Sequence, residues 1–169
     1  MKNILIIVCA ILFAGCGSTN KMTKEQCAAL VSQTVHEMIS SKDYTITVRE
    51  FSNRIMSSSQ ISSSGYTLQV KGERLSTHLP FSGTAHTAVL GGSNYGMTFD
   101  NVEITNYSVT HPKTDLATIR FNVAKDGEPY TFTIEVYDNA EAKVSVGSRK
   151  FDGMTYTGEL NVWEKIYNQ

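Results

Sequence analysis

The groups in this chain with chemical potential are four histidines, three cysteines and sixteen carboxylates. His78 and His86 stand on either side of the Leu79-Pro80 corner, and with Asp100 or Glu103 they would supply nitrogen and oxygen donors for a divalent metal. Metal-binding histidine pairs usually sit closer together on one element, so His78 and His86 read as solvated residues at strand ends, and neither metal nor cofactor is expected. Glu73, Asp126, Glu128, Asp138, Glu141 and Asp152 all fall in turn sequences, where a carboxylate favours turn geometry and hydration. A carboxylate pair for sugar cleavage is therefore not expected. His36-Glu37 lies at the polar edge of a helical segment. The chain has no Gly-x-Ser-x-Gly elbow, phosphate-binding glycine loop, His-Glu-x-x-His or Cys-x-x-Cys. No catalytic residue is assigned.

The cysteines separate by position. Residues 1–15 read as an export leader: Lys2 is the positive start, Ile4 to Phe13 is an unbroken apolar run, and Ala14-Gly15 places small residues before Cys16. Phe13-Ala14-Gly15-Cys16 resembles a bacterial lipobox with Phe in place of the usual Leu. That resemblance implies that Cys16 is acylated with palmitate-type chains and becomes the new N-terminus. The alternative is a soluble exported protein cut near the same point. Cys9 leaves with the leader. Cys27 remains as the one unmodified thiol, so no internal disulfide is available, and its place on an apolar helical stripe predicts a buried, inert side chain.

Charge narrows the partners. Lys plus Arg is 15 against 16 for Asp plus Glu, with no basic block, which argues against nucleic acid. Nothing after Cys16 is long and apolar enough to span a bilayer, so attachment to a membrane would be by lipid.

These residues must be held by a small set of elements. Residues 16–22 form a polar tether, and 23–169 a single domain. Thr23-Lys24-Glu25-Gln26 is a capping box. Cys27, Val31, Val35 and Met38 follow at helical spacing, widened by Ala28 and Ile39, and the helix should stop near Ser40-Ser41. The period then changes to two, through Tyr44-Ile46-Val48, Tyr66-Leu68-Val70, Leu75-Thr77-Leu79, Val102 to Val109, Ile119-Phe121-Val123, Tyr130 to Val136, Ala140 to Val146 and Met154 to Leu160. Short turns at Gly72-Glu73, Lys125 to Glu128 and Asp138-Asn139 permit only antiparallel neighbours. The expected fold is α+β: one N-terminal helix on the concave side of a curved antiparallel meander of roughly eight strands. Closure into a barrel is left open. Threonines (Thr45, Thr47, Thr67, Thr131, Thr133, Thr155, Thr157) should coat the wet face.

Two stretches interrupt the rhythm. Residues 57–65 are serine-rich and read as an exposed loop. Residues 80–96 are longer, rich in glycine, and carry Phe81, His86 and Tyr95, the candidate binding residues. Tyr66-Thr67-Leu68-Gln69-Val70-Lys71-Gly72, Leu79-Pro80-Phe81-Ser82-Gly83, the Gly147-Ser148-Arg149 turn, Phe151 and Gly158 resemble the small Bacteroides-type exported proteins of domain of unknown function forty-two fifty-one. Ser82 and Thr84 depart from that pattern, which has a second aromatic and an Arg there. The resemblance implies an exported protein with this fold and brings no catalytic residue.

The resulting expectation is an exported, lipid-anchored cell-envelope protein, at the outer membrane facing periplasm or cell surface. It would act as a non-enzymatic binding or structural module for a protein or glycan partner, with aromatics at Phe81, Tyr95, Trp163 and Tyr167 as contact area. Two alternatives stay open. One is an inhibitor or ligand-binding module of the lysozyme-inhibitor type, presenting a protruding loop. The other is a hydrolase whose site is assembled from separated loops.

Overall fold

The computed structural model describes residues 22–54, 58–61, 65–82, 97–150 and 152–167. Helix α1 (Lys24–Ser41) opens with the capping box in place: the Gln26 amide donates to Thr23 Oγ1 at 3.2 Å, and the Thr23 amide donates to Gln26 Oε1 at 2.9 Å. It ends where Lys42 turns left-handed (φ 51°) and returns its amide to Ile39 and Met38. Val31, Thr34, Val35, Met38 and Ile39 form its buried face. Two expectations about this helix are corrected. Cys27 is only half-buried and Ala28 is exposed, because the first turn and a half projects past the core.

Ten strands follow among the described residues: β1 (Asp43–Asn53), β2 (Ser59–Gln60), β3 (Thr67–Lys71), β4 (Arg74–Leu79), β5 (Met97–Glu103), β6 (Thr105–Lys113), β7 (Leu116–Lys125), β8 (Glu128–Tyr137), β9 (Glu141–Ser148) and β10 (Met154–Leu160). A final short helix, α2 (Val162–Tyr167), packs against α1. Nine strands form one antiparallel path in the order β5-β4-β3-β1-β10-β9-β8-β7-β6, with β2 paired to β1 beside it. The sheet curls into a half-barrel, so the α+β expectation holds, with two strands more than the roughly eight of the alternation count.

One extra strand is the two-residue β2. The other arises because the single run from Val102 to Val109 is a bent strand. Ile104 is buried at the bend, and Asn101 and Asn106 flank it with positive φ (49° and 54°). Asparagine tolerates this conformation better than most residues. The first half, β5, pairs with β4, and the second half, β6, pairs with β7. The two edges of the sheet are therefore the two arms of one bent strand.

The inner face carries the core. Ile46, Leu68, Val70, Leu75, Ile119, Phe132, Ile134 and Tyr156 are fully enclosed. Phe121 stacks on Phe132 at 5.1 Å, while Phe99 meets Phe132 and Tyr130 edge-on, carrying the curl from β5 across to β8. Turn chemistry sets the hairpins: Gly72 (φ 61°) bends β3 into β4, and Asp126-Gly127 (φ 52° and 73°) bends β7 into β8. Among the described residues no helix is long and apolar enough to cross a membrane.

Four core phenols give the fold a pH limit. Burial raises Tyr44 well above its ordinary value of 10.0, and the neighbouring Tyr107 hydroxyl, 3.5 Å away, adds to this. Burial likewise raises Tyr107, Tyr130 and Tyr156. A phenol raised in the folded state contributes stability that is complete below its unfolded pKa and disappears as pH climbs through the folded value. The urea midpoint should stay level to about pH 10 and fall steeply above it. A level course well beyond that point would contradict the burial of these hydroxyls.

Candidate functional site

The segment that opens the long glycine-rich stretch is fixed where it leaves the core. β4 ends at Leu79, and Pro80, Phe81 and Ser82 follow it half-buried. Tyr156, whose ring is fully enclosed in β10, donates its hydroxyl to the Pro80 carbonyl at 2.7 Å. Asn53, at the end of β1, donates its amide to the Ser82 carbonyl. Phe81 is half-buried and packs against the core cluster. It therefore serves first as the foot of this segment. His86 and Tyr95, the other two candidate binding residues, and Cys16, the candidate lipid acceptor, lie outside the described residues.

Asn53 also borders a groove of about 500 Å³ on the outer face of the sheet. Its floor is a cross-strand row of hydroxyls. Thr133 on β8 lies opposite Ser145 on β9, Ser145 opposite Thr155 on β10, and Thr155 opposite Ser52 on β1. Neighbouring strands are about 4.8 Å apart, so the row offers evenly spaced groups that both donate and accept. Thr131 and Arg54 complete the walls. The alternation of the sequence assigns these threonines to the wet face; the groove beside the loop foot comes only from strand order.

Among the described histidines, His36 and His111 meet edge-on with ring centroids 6.4 Å apart. His78 stacks on Tyr66 with ring centroids 5.3 Å apart, and its Nδ1 lies 3.5 Å from Thr98 Oγ1. Glu103 faces Arg74 at the other end of the β4–β5 pair, and β5 places Asp100 two residues beyond Thr98, the register partner of His78. Among the described residues no three His, Cys, Asp or Glu side chains are gathered as a metal site.

Glu128 and Asp138, which the sequence reading leaves solvated in turns, are held by hydrogen bonds. Glu128 keeps only 4% of its surface exposed. Burial pushes its carboxyl upward, but the cover is a thin one at the sheet rim. The Ser148 hydroxyl, the Arg149 amide and the Lys150 ammonium and amide outweigh it and hold the group below the usual carboxylate value. Glu128 is thus a rim clasp between β8 and the end of β9. Asp138 accepts from Ser32 at 3.0 Å through Oδ2 and lies 3.0 Å from His36 Nε2 through Oδ1. Ser32 and His36 come from α1, so this contact fastens the helix to the β8–β9 turn. The serine donates to the carboxylate rather than to the histidine, which is not the order that would activate a nucleophile. Sequence reading missed the contact because its partners are 102 and 106 positions apart.

A half-barrel sheet with a helix laid on its core, a fixed loop foot and a hydroxyl-lined groove defines a small α+β module built around one antiparallel sheet. The family model described as "Domain of unknown function (DUF4251)" matches residues 27–160. The chain belongs to that family. Among solved structures it is similar to a DUF4251 family protein from Bacteroides eggerthii DSM 20697, with a TM-score of 0.58 and 14% identity over 82% of this chain and 95% of that one. At that identity the likeness is one of fold. No curated protein matches the chain.

Proposed function

We propose that this DUF4251 member is an exported, lipid-anchored cell-envelope protein whose domain is a non-enzymatic binding module. The observation that carries the binding half is the fixed foot at Pro80–Ser82. Tyr156 and Asn53, from two neighbouring core strands, hold consecutive parts of one outgoing segment. A recognition loop works best when a rigid scaffold presents its base, since less freedom is then lost on binding. The hydroxyl groove shares Asn53 with that foot and extends the surface a polar protein or glycan partner would touch.

The non-enzymatic reading is supported by the use made of Ser32, His36 and Asp138, which are engaged in joining α1 to the sheet. The envelope reading is supported by the leader and the small residues before Cys16. Changing Cys16 to Ser should move the protein out of the membrane fraction and abolish incorporation of labelled palmitate. A variant that remains in the membrane fraction, alongside a wild type that takes up no palmitate, would overturn the anchor.

A further inference from the structure

Three large apolar side chains stand exposed among the described residues: Met22 at 53%, Trp163 at 46% and Tyr167 at 82%. All three belong to the helical layer, and none lies on the outer face of the sheet. Met22 directly precedes the Thr23 cap of α1. Trp163 and Tyr167 are one turn apart on α2 with ring centroids 6.1 Å apart. Val162 and Ile166, on the adjacent face of that helix, are the residues that meet the core. Among the described residues, the hydroxyl row of the outer face and the exposed Trp163–Tyr167 pair thus belong to different layers.

We propose that the helical layer rests on the lipid surface, with the Trp163–Tyr167 pair seated at the boundary between headgroups and acyl chains. This rests on the reading of Cys16 as the lipid acceptor. The occupant follows from the length of chain before the fold. From Cys16 to Met22 is six residue steps, which span no more than about 20 Å. Helix α1 is 18 residues, about 27 Å long, and α2 packs against it. A domain tethered so closely keeps its helical layer near the bilayer throughout its life. Tryptophan and tyrosine favour that boundary because their rings are apolar while their N–H and O–H stay hydrated. Charge does not carry the proposal, since Lys24 and Lys165 are offset by Glu25 and Glu164.

Trp163 is the chain's single tryptophan, so its fluorescence reads this site in the intact protein. The purified, lipid-bearing protein is reconstituted in vesicles with plain or brominated acyl chains, and aqueous iodide is added in parallel. Trp163 should lose most of its emission to the brominated lipid and little to iodide. A second protein carrying Trp163→Phe and Thr133→Trp, which puts the only indole on the outer face, should show the reverse. Trp163 emission that ignores brominated lipid overturns the contact. If it also ignores iodide, a protein partner or a second copy covers the pair instead of lipid. Palmitate labelling of the same preparation reports the anchor separately. Label without lipid quenching leaves the anchor standing and removes the contact; quenching without label does the opposite, and neither signal removes both.

Discussion

Gly158→Ala should lower the stability of the domain by about 3 kcal/mol or more, enough to leave much of the protein unfolded. Gly158 sits in β10 opposite Val48 of β1, where the register of the pair shifts between Val48 and Glu50. A Cβ built there would lie 2.1 Å from the Thr47 carbonyl oxygen and 2.9 Å from both the Thr47 carbonyl carbon and Val48 Cα. Those are backbone atoms, so no side chain can rotate away. The only relief is to separate β1 from β10, the pairing that joins the two halves of the sheet. Gly147 provides the comparison, since a Cβ there meets nothing within 4 Å. Gly147→Ala should change stability by about 0.5 kcal/mol or less. Urea unfolding of the two variants tests this, and equal midpoints would sink the steric account.

Tyr156 should separate folding from the loop foot. Tyr156→Ala removes a fully enclosed ring and should cost about 4 kcal/mol. Tyr156→Phe keeps the ring but leaves the Pro80 carbonyl without its donor, a loss of about 1 kcal/mol. The Phe variant should therefore stay folded while chymotrypsin cuts more readily after Phe81, and its capture of an envelope partner should weaken. If the Phe variant is cut at the wild-type rate, the hydroxyl does not fix the foot, and the binding proposal loses the observation that carries it.

Local chemistry was legible in the sequence. Thr23 and Gln26 announce the helix start because a capping box is complete within four residues. The inward set from Tyr44 to Leu160 follows from a period of two, and the Gly72 and Asp126-Gly127 turns from residues that accept positive φ. What could not be read depends on contacts between distant segments. No local pattern places β1 between β3 and β10, brings Ser32 and His36 to Asp138, or draws Glu128 under Ser148 to Lys150. The bend at Ile104 was hidden because the inward positions slip phase only across single asparagines, from Phe99 to Val102 over Asn101 and from Ile104 to Tyr107 over Asn106, so the run still reads as one strand. At Trp163, an aromatic near a strand end reads more readily as the residue that finishes the core, and the structure gives that position to Val162 and leaves Trp163 exposed.

The strand order has a consequence for how the chain folds as it emerges. β3 to β5 and β6 to β10 are two meanders of sequence-adjacent pairs, and apart from β4 and β5, which residues 80–96 separate, they close over short connections and form fast. β1 is different: its partner β10 lies more than a hundred positions away, with Ile46 opposite Leu160. A chain delivered from its N-terminal end, whether from the ribosome or through an export pore, cannot make that pairing until residue 160 is out. Until then the apolar edge of β1 is open on one side, and helix α1 has only part of the core it covers. The last cooperative step should be the seam between β1 and β10.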